Sequence, residues 1–394
     1  MRKRASIASV CEVNPRIPTQ LRQKTTVPIS FLPMASVLES GTISDVSERE
    51  LGDVQKGYRY FEEGDVLVAK ITPCMENGKA ALAADLPHRV GFGSTEFHVL
   101  RPGDDVDGRY LFRMIWNPMF RHAAEKRMTG SAGQRRVPSS FFEQFKIPLP
   151  PLPEQRRIAA ILDKGDAARR KRQQTLDLAD QFLRSAFLDL FGDPVTNPKG
   201  WPVVKLQKLI DPERPITYGI LKPGPDLPEG VPYVRVVDIA NEEVDVSALK
   251  RTSVEIAEQY RRSKLRQGDV LLSIRGHVGR LAIVPEVLEA ANITQDTARL
   301  AASSDVLPEY LLGALSTSGL QQWMARHVKG GAVKGINLGD VKKLPIALPP
   351  SGDQERFARS YRAMRDVRAL EVSLIRGLDD VRGSLTQRAF RGDL

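Results

Sequence analysis

The chain has little cysteine: Cys11 and Cys74 are its two thiols in 394 residues. That number excludes a disulfide framework, their positions match no metal-ligand spacing, and a reducing cytoplasm is the expected setting. The five histidines, His88, His98, His122, His277 and His327, form no H-x-x-x-H or similar cluster, which argues against a histidine metal site. No apolar run approaches the roughly 18 residues of a membrane span. The N-terminal MRKRASIASV carries charge but no apolar core of the kind a secretory signal needs. Catalytic signatures are missing too. There is no G-x-S-x-G, and the glycines of GGAVKGIN at 330–337 are followed by no G-K-[ST]. NPMF at 117–120 has the Asn-Pro of an adenine-methyltransferase loop but not its second proline, and it sits in a helical stretch with no glycine-rich cofactor loop. Pro225-Asp226 is not followed at a plausible distance by the second acid and lysine of a nuclease set.

What is present is positive charge. The formal net charge is +10 and the pI about 9.6. The excess is spread along the chain, so folded surfaces and not a basic tail must present it, and a polyanion is the partner it suits.

The chain also repeats itself with an offset of about 200 residues. GDVLVAKITP at 64–73 matches GDVLLSIRGH at 268–277, and Tyr110-Leu111 matches Tyr310-Leu311. TGSAGQRRV at 129–137 resembles KGGAVKGIN at 329–337, and IPLPP at 147–151 matches IALPP at 346–350. PEQRR at 153–157 then pairs with DQER at 353–356, and AFLDLFGD at 186–193 with AFRGDL at 389–394. Each match is weak, but their common order is not, because chance similarity does not keep register through half a chain. The period is too long for a solenoid and marks a duplicated module. Within each copy, short β-branched runs follow Gly-Asp turns, and one short helix is expected near 109–126 and near 307–327. A small α+β domain, repeated, is the expectation.

Between and after the copies lie two stretches without internal proline, 153–191 and 353–390. The first contains one glycine, Gly165, and an apolar stripe of Ile158, Leu162, Leu176, Ala179, Leu183, Ala186 and Leu190, with polar Arg169 and Arg172 mid-way. The second has Phe357, Tyr361, Met364, Val367, Leu374, Leu378, Val381 and Leu385. Alternating spacings of four and three predict coiled-coil helices, each roughly 55–60 Å long. An isolated stripe must be covered, and the simplest cover is the other helix, run antiparallel. The prolines of 148–151 and 348–350 suit a first helical turn. The boundaries expected are 1–150, 151–195, 196–350 and 351–394: domain, helix, domain, helix.

LPPLPEQRRIAAIL at 149–162, AFLDLFGDP at 186–194, AFRGDL at the end, and ITYGILKPG at 216–224 followed by VPYVRVVDI at 231–239 carry a resemblance over essentially the whole chain. It resembles the specificity subunits of type I restriction–modification systems. The resemblance implies two target-recognition domains separated by an antiparallel two-helix coiled-coil spacer, each domain reading one half of a bipartite double-stranded DNA target. It implies no catalysis in this chain. Two modification (methyltransferase) subunits using S-adenosylmethionine would dock on the helices. Restriction subunits would bring ATP and Mg, in a bacterial or archaeal cytoplasm and without a membrane. A stand-alone methyltransferase or nuclease with degenerate motifs is the rival reading. The second copy departs from the pattern at DQER, which leaves the start of the second helix open.

Direct readout needs donors and acceptors at base edges, while lysine and arginine mostly hold phosphates. In the first copy the candidates are Lys70, Thr72, Asn77 and Lys79 in one loop and Gln134, Arg135 and Arg136 in another. In the second they are Tyr218; Arg275, His277 and Arg280; and Lys329, Lys334 and Asn337. Glycines in these loops let the backbone come close to a duplex.

Overall fold

The computed structural model describes residues 3–131, 133–331, 334–391 and 393. Parts of MRKRASIASV, TGSAGQRRV, KGGAVKGIN and AFRGDL therefore lie outside the described residues. The chain divides into two compact units, one of residues 1–172 with 373–394 and one of residues 173–372.

In the first unit, the strands Cys11–Val13, Phe97–Pro102, Val66–Ala69 and Ala80–Leu82 form an antiparallel sheet in that order. A second sheet runs Ser47–Glu50, Pro28–Leu32, Val90–Gly93, Arg59–Glu62, with Pro28–Leu32 parallel to Val90–Gly93. The continuous apolar run VLVA is explained by burial of both faces of its strand. Val66 and Val68 point into one core with Tyr110, Phe120 and Phe142. Leu67 points the other way, to Leu32, Phe61 and Phe97, as the two-residue period requires.

Helices α1 (Gly108–Ile115) and α2 (Pro118–Glu125) cover the first sheet. One helix was expected here, and the structure corrects that. Pro118 has no N–H to continue the ladder, and Asn117 is extended (φ −68°, ψ 136°), so α2 starts afresh. The Asn117 side chain accepts from the Met119 N–H at 2.8 Å, an N-cap with proline at the first helical position. The NPMF sequence is accounted for by this helix start. α3 (Leu152–Phe191) follows and contributes residues 152–172 to this unit.

The second unit repeats the plan. Thr217–Tyr218, Thr297–Leu300, Val270–Ser273 and Leu281–Ile283 form the antiparallel sheet. Lys250–Thr252, Val231–Val234 and Asn292–Ile293 form the other, again with one parallel pair. The helix expected over 307–327 is also two, α4 (Pro308–Ser316) and α5 (Ser318–His327), parted at the extended Thr317. α6 (Ser351–Arg391) gives its first residues to this unit and residues from 373 onward to the first unit.

Each long helix is seated on the sheet domain that precedes it by the same device. The Gln155 side chain is fully buried. It accepts from the Asp107 N–H at 2.9 Å and donates to the carbonyls of Asp105 and Pro150 at 2.9 and 2.8 Å. Gln354 does the same in the second unit with Leu307 N–H, Asp305 and Pro349. The glutamine shared by PEQRR and DQER is thus a peg, and the second helix starts at Ser351 without the fuller motif.

Within the first unit α3 and α6 run antiparallel. Arg382 donates to Asp166 at 3.0 Å and Arg169 to Asp379 at 2.8 Å. Within the second unit Arg368 pairs with Asp180, and Phe187 meets Phe357 at 5.2 Å between ring centroids. The apolar seam expected from the spacing is corrected in part. Ile158, Leu162, Leu176, Phe357 and Tyr361 are buried, but Val367, Leu374 and Val381 are exposed. Phe187 and Phe191 are buried where Ala186 and Leu190 were expected to carry the seam. Ion pairs replace apolar contact there, so the heptad pattern overstates the burial.

Candidate nucleic-acid interface

The candidate loops come together in each unit. In the first, the strand Val66–Ala69 runs into the loop 70–79, and α2 runs into the loop 126–136. Two backbone hydrogen bonds stitch them: Thr72 N–H to Arg135 O at 3.0 Å and Val137 N–H to Lys70 O at 2.9 Å. In the second unit, Gly276 N–H donates to Lys334 O at 3.0 Å and Ile336 N–H to Ile274 O at 2.9 Å. Each second loop is also pinched at its base, Thr129 with Arg136 and Lys329 with Gly335. Gly130 (φ +118°) and Gly330 (φ +115°) sit just inside the pinch in a conformation that L side chains avoid. At Gly130 a Cβ would also meet Gln134 O at 3.0 Å.

The candidates divide by what already holds them. Arg136 grips Glu96 with two donors at 2.9 and 3.0 Å, which pulls the Glu96 carboxyl below its usual range. Arg135 donates to the Glu125 carbonyl, Thr72 to Glu76, Asn77 to Glu39 and Lys79 to the Met34 carbonyl. In the second unit Arg280 donates to the carbonyls of Val236 and Ile239, both at 3.1 Å. Arg275 spends one donor on Gln295, and Asn337 caps a short helix by accepting from the Asp340 N–H. Gln134, His277, Lys329 and Lys334 are exposed side chains with no ion pair among the described residues, and Tyr218 is 43% exposed. Lys70 stands between these groups. Burial lowers its pKa, Glu96 works against that, and the neighbouring Arg59 and Arg136 add to it.

The sequence reading missed Lys126, Arg127 and Arg326. They are exposed at the C-terminal ends of α2 and α5, directly ahead of the second loops. The signal was the register of EKRMTG at 125–130 with ARHVKG at 325–330, which puts a cation at 126 or 326 in each copy. Cations here also suit the helix C-terminal dipole, so they serve a structural end as well.

His98 lies under the first loop pair. Its Nε2 is 2.8 Å from Val137 O and its Nδ1 3.2 Å from the Asn14 amide. Burial pushes its pKa down to about 4. The fold therefore holds it neutral, and its contribution is complete above pH 6.5 and lost as pH falls towards 4. The cost reaches about 3 kcal/mol once it is forced to protonate. Thermal melts between pH 7 and 4 should show this loss, and His98→Gln should flatten it. An unchanged slope in the variant would assign the acid sensitivity elsewhere.

No group of three or more metal-ligating side chains occurs among the described residues, and no described helix is long and apolar enough to cross a membrane. The family model for the Type I restriction modification DNA specificity domain matches residues 4–177 and 198–362. The chain belongs to this specificity family. Each matched stretch covers one of the two sequence copies and runs on into the long helix after it, and the rejection of a catalytic reading agrees with the naming of its relatives as specificity subunits. Among specificity-family relatives, the Escherichia coli EcoAI specificity subunit is 44% identical over 155 residues, 39% of this chain and 26% of that protein. The E. coli EcoBI specificity subunit is 29% identical over 294 residues, 68% of this chain and 62% of that protein. The chain therefore spans about a quarter and about three-fifths of the length of these two relatives. The type I S subunit from M. genitalium shares the fold over 99% of this chain and 96% of its own, with a TM-score of 0.58 and 13% identity. A chain from a study of type I R-M complex assembly and conformational transition covers 100% and 98%, with a TM-score of 0.56 and 22% identity.

Proposed function

We propose that this chain is the DNA-reading subunit of a type I restriction–modification complex and itself catalyses nothing. Each unit reads one half of a bipartite duplex target through its stitched loop pair. The observation that supports this most is that duplication: two loops from distant parts of each copy, joined by equivalent backbone bonds and edged with exposed cations and amides. The two long helices set the separation of the half-sites and dock two modification subunits. Leu178 and Phe182 on α3, and Val367, Leu370 and Val381 on α6, are exposed apolar side chains of the kind partner helices cover. S-adenosylmethionine belongs to those modification subunits, and ATP and Mg to restriction subunits, all in the cytoplasm of a bacterial or archaeal cell. The methyltransferase alternative loses its best motif, because NPMF is occupied in starting α2.

The target is found by mapping methylated adenines genome-wide in cells carrying this chain with its modification subunits. A bipartite motif is the expected result, and a continuous motif would contradict the reading. Loop roles then separate on that target. Lys329→Ala with Lys334→Ala should weaken binding equally for all base changes and flatten the salt dependence by about two units of slope. Gln134→Ala should cost roughly 1–3 kcal/mol for the cognate base and little for the others. Anisotropy titrations across salt and across all four bases at each position make the distinction, and a uniform loss would make Gln134 a backbone contact.

A further inference from the structure

Each unit joins its two candidate loops at a backbone bridge, and an arginine stands at that bridge on opposite sides in the two copies. In the first unit the bridge is Ile71 to Arg136, and in the second it is Arg275 to Gly335. The flanking bonds set the correspondence. Thr72 N–H to Arg135 O answers to Gly276 N–H to Lys334 O, and Val137 N–H to Lys70 O answers to Ile336 N–H to Ile274 O. Ile71 and Arg275 are therefore equivalent, as are Arg136 and Gly335. The arginine sits on the second loop in one copy and on the first loop in the other. Gly335 makes room for this: a Cβ there would come within 2.8 Å of Ile274 O and 2.9 Å of Arg275 Cγ.

A third segment meets the bridge in both units. Lys70 N–H donates to Glu96 O at 2.9 Å and Ile274 N–H to Asp296 O at 2.8 Å, so Glu96 corresponds to Asp296 and Thr95 to Gln295. This segment decides which edge of each arginine is free. Arg136 turns Nε and Nη2 to the Glu96 carboxylate at 3.0 and 2.9 Å, and Nη1 to the Gln134 carbonyl at 3.0 Å. The Nε–Nη2 edge is a fork that matches the O6 and N7 acceptors of guanine, and in Arg136 a carboxylate already occupies it. Arg275 is exposed. It gives Nη1 to the neutral Gln295 Oε1 at 3.2 Å. Among the described residues its Nε–Nη2 edge meets no acceptor and its charge no carboxylate. Gln295 is itself held in place, its N–H donating to Ile220 O at 2.9 Å.

We propose that Arg275 reads a guanine for the second unit, aimed by Gln295, and that Arg136 is an internal clamp on the loop that displays Gln134. The inference rests on the proposed function for its ligand, a DNA duplex. A guanidinium tied at one end to an amide keeps its charge and loses freedom of rotation, and two parallel hydrogen bonds to one base edge need both. A carboxylate on the fork itself, as at Arg136, cancels the charge and takes the donors that a base would use. The two halves of the target therefore differ in kind. One contains a guanine set by Arg275, and the other has no guanine set by the arginine at its bridge.

The test uses the full chain with its modification subunits and a fluorescein-labelled duplex carrying the methylation-mapped motif, with all four bases tried at each position. Arg275→Ala, a change at an exposed side chain, should cut discrimination at one G·C pair by about tenfold or more. The other pairs and the slope of affinity against salt should stay as they are. Gln295→Met keeps the shape and removes the acceptor. It should lower discrimination at that same pair and have no further effect in the Arg275→Ala chain. Arg136→Ala should lose discrimination at the pair that Gln134→Ala affects, and a G·C pair of its own would overturn the clamp. A loss uniform over all bases, with the salt slope lower by about one unit, would make Arg275 a phosphate contact and overturn the assignment. Unaltered discrimination at every pair would overturn it too, and a Gln295→Met loss that persists without Arg275 would remove the aiming role. Each of these leaves the proposed function standing, because the unaltered complex still binds a bipartite motif. An unaltered complex with no bipartite motif would sink both readings.

Discussion

Gln155→Leu should destabilise the first unit by roughly 3–6 kcal/mol while leaving the second nearly untouched. The shapes are close, so the cost is that of three buried polar groups losing their partners at once, each about 1–3 kcal/mol with the carbonyls at the low end. The Asp107 N–H loses its acceptor at the start of α1, and the carbonyls of Asp105 and Pro150 lose a donor. Gln354→Leu should do the same to the second unit through Leu307, Asp305 and Pro349. Urea titrations followed separately through Trp116 in one unit and Trp323 in the other would read the two effects apart. A loss below 1 kcal/mol would mean that the glutamine is not a peg but a passenger.

Arg113→Met should cost the first unit about 3–5 kcal/mol, because it strips a buried carboxylate of a partner. Arg113 is 9% exposed and is shared by Asp163 and Asp166, with Asp166 itself 6% exposed. Asp163 keeps Arg109 and Asp166 keeps Arg382, so the pairing is reduced and not abolished. The double change Arg113→Met with Asp166→Leu should recover much of the loss, since an apolar pair of similar volume carries no desolvation penalty. A double-mutant cycle in urea measures the coupling, and additivity of the two single changes would show that the cluster does not act as a unit.

The duplication, the α+β class and the long helices were legible because each rests on patterns that survive along one dimension: a register, a two-residue alternation, a stretch without internal proline. The strands around Val66 and Val270 followed from their turn signals. What failed is instructive. Asn117-Pro118 read as a decoy motif inside a helix, and Thr317 gave no signal at all, since whether an extended residue interrupts two helices is decided by their packing on the sheet. The stripe through Val367, Leu374 and Val381 has coiled-coil spacing, but spacing does not say which partner covers it. At the candidate interface, the loops singled out in the sequence are ones the fold stitches together in each unit. Sequence alone could not show that Arg136 would spend its fork on Glu96, forty residues away, or that Asn337 would cap a helix, because such pairings depend on contacts remote in the chain. Lys126, Arg127 and Arg326 were within reach of the repeat register and were passed over in favour of the glycines beside them.

The first unit is not a continuous piece of polypeptide. Its core includes Ala389 with Leu385 packed against it, and its helix pair is tied by Asp379 and Arg382, whereas the second unit runs unbroken from 173 to 372. Synthesis proceeds from the N-terminus, so the half begun first at the ribosome is the half finished last. Until residues 373–391 emerge, the nascent chain holds Ile158 and Leu162 without their final cover, and the second unit can close while the first still waits for its last helix.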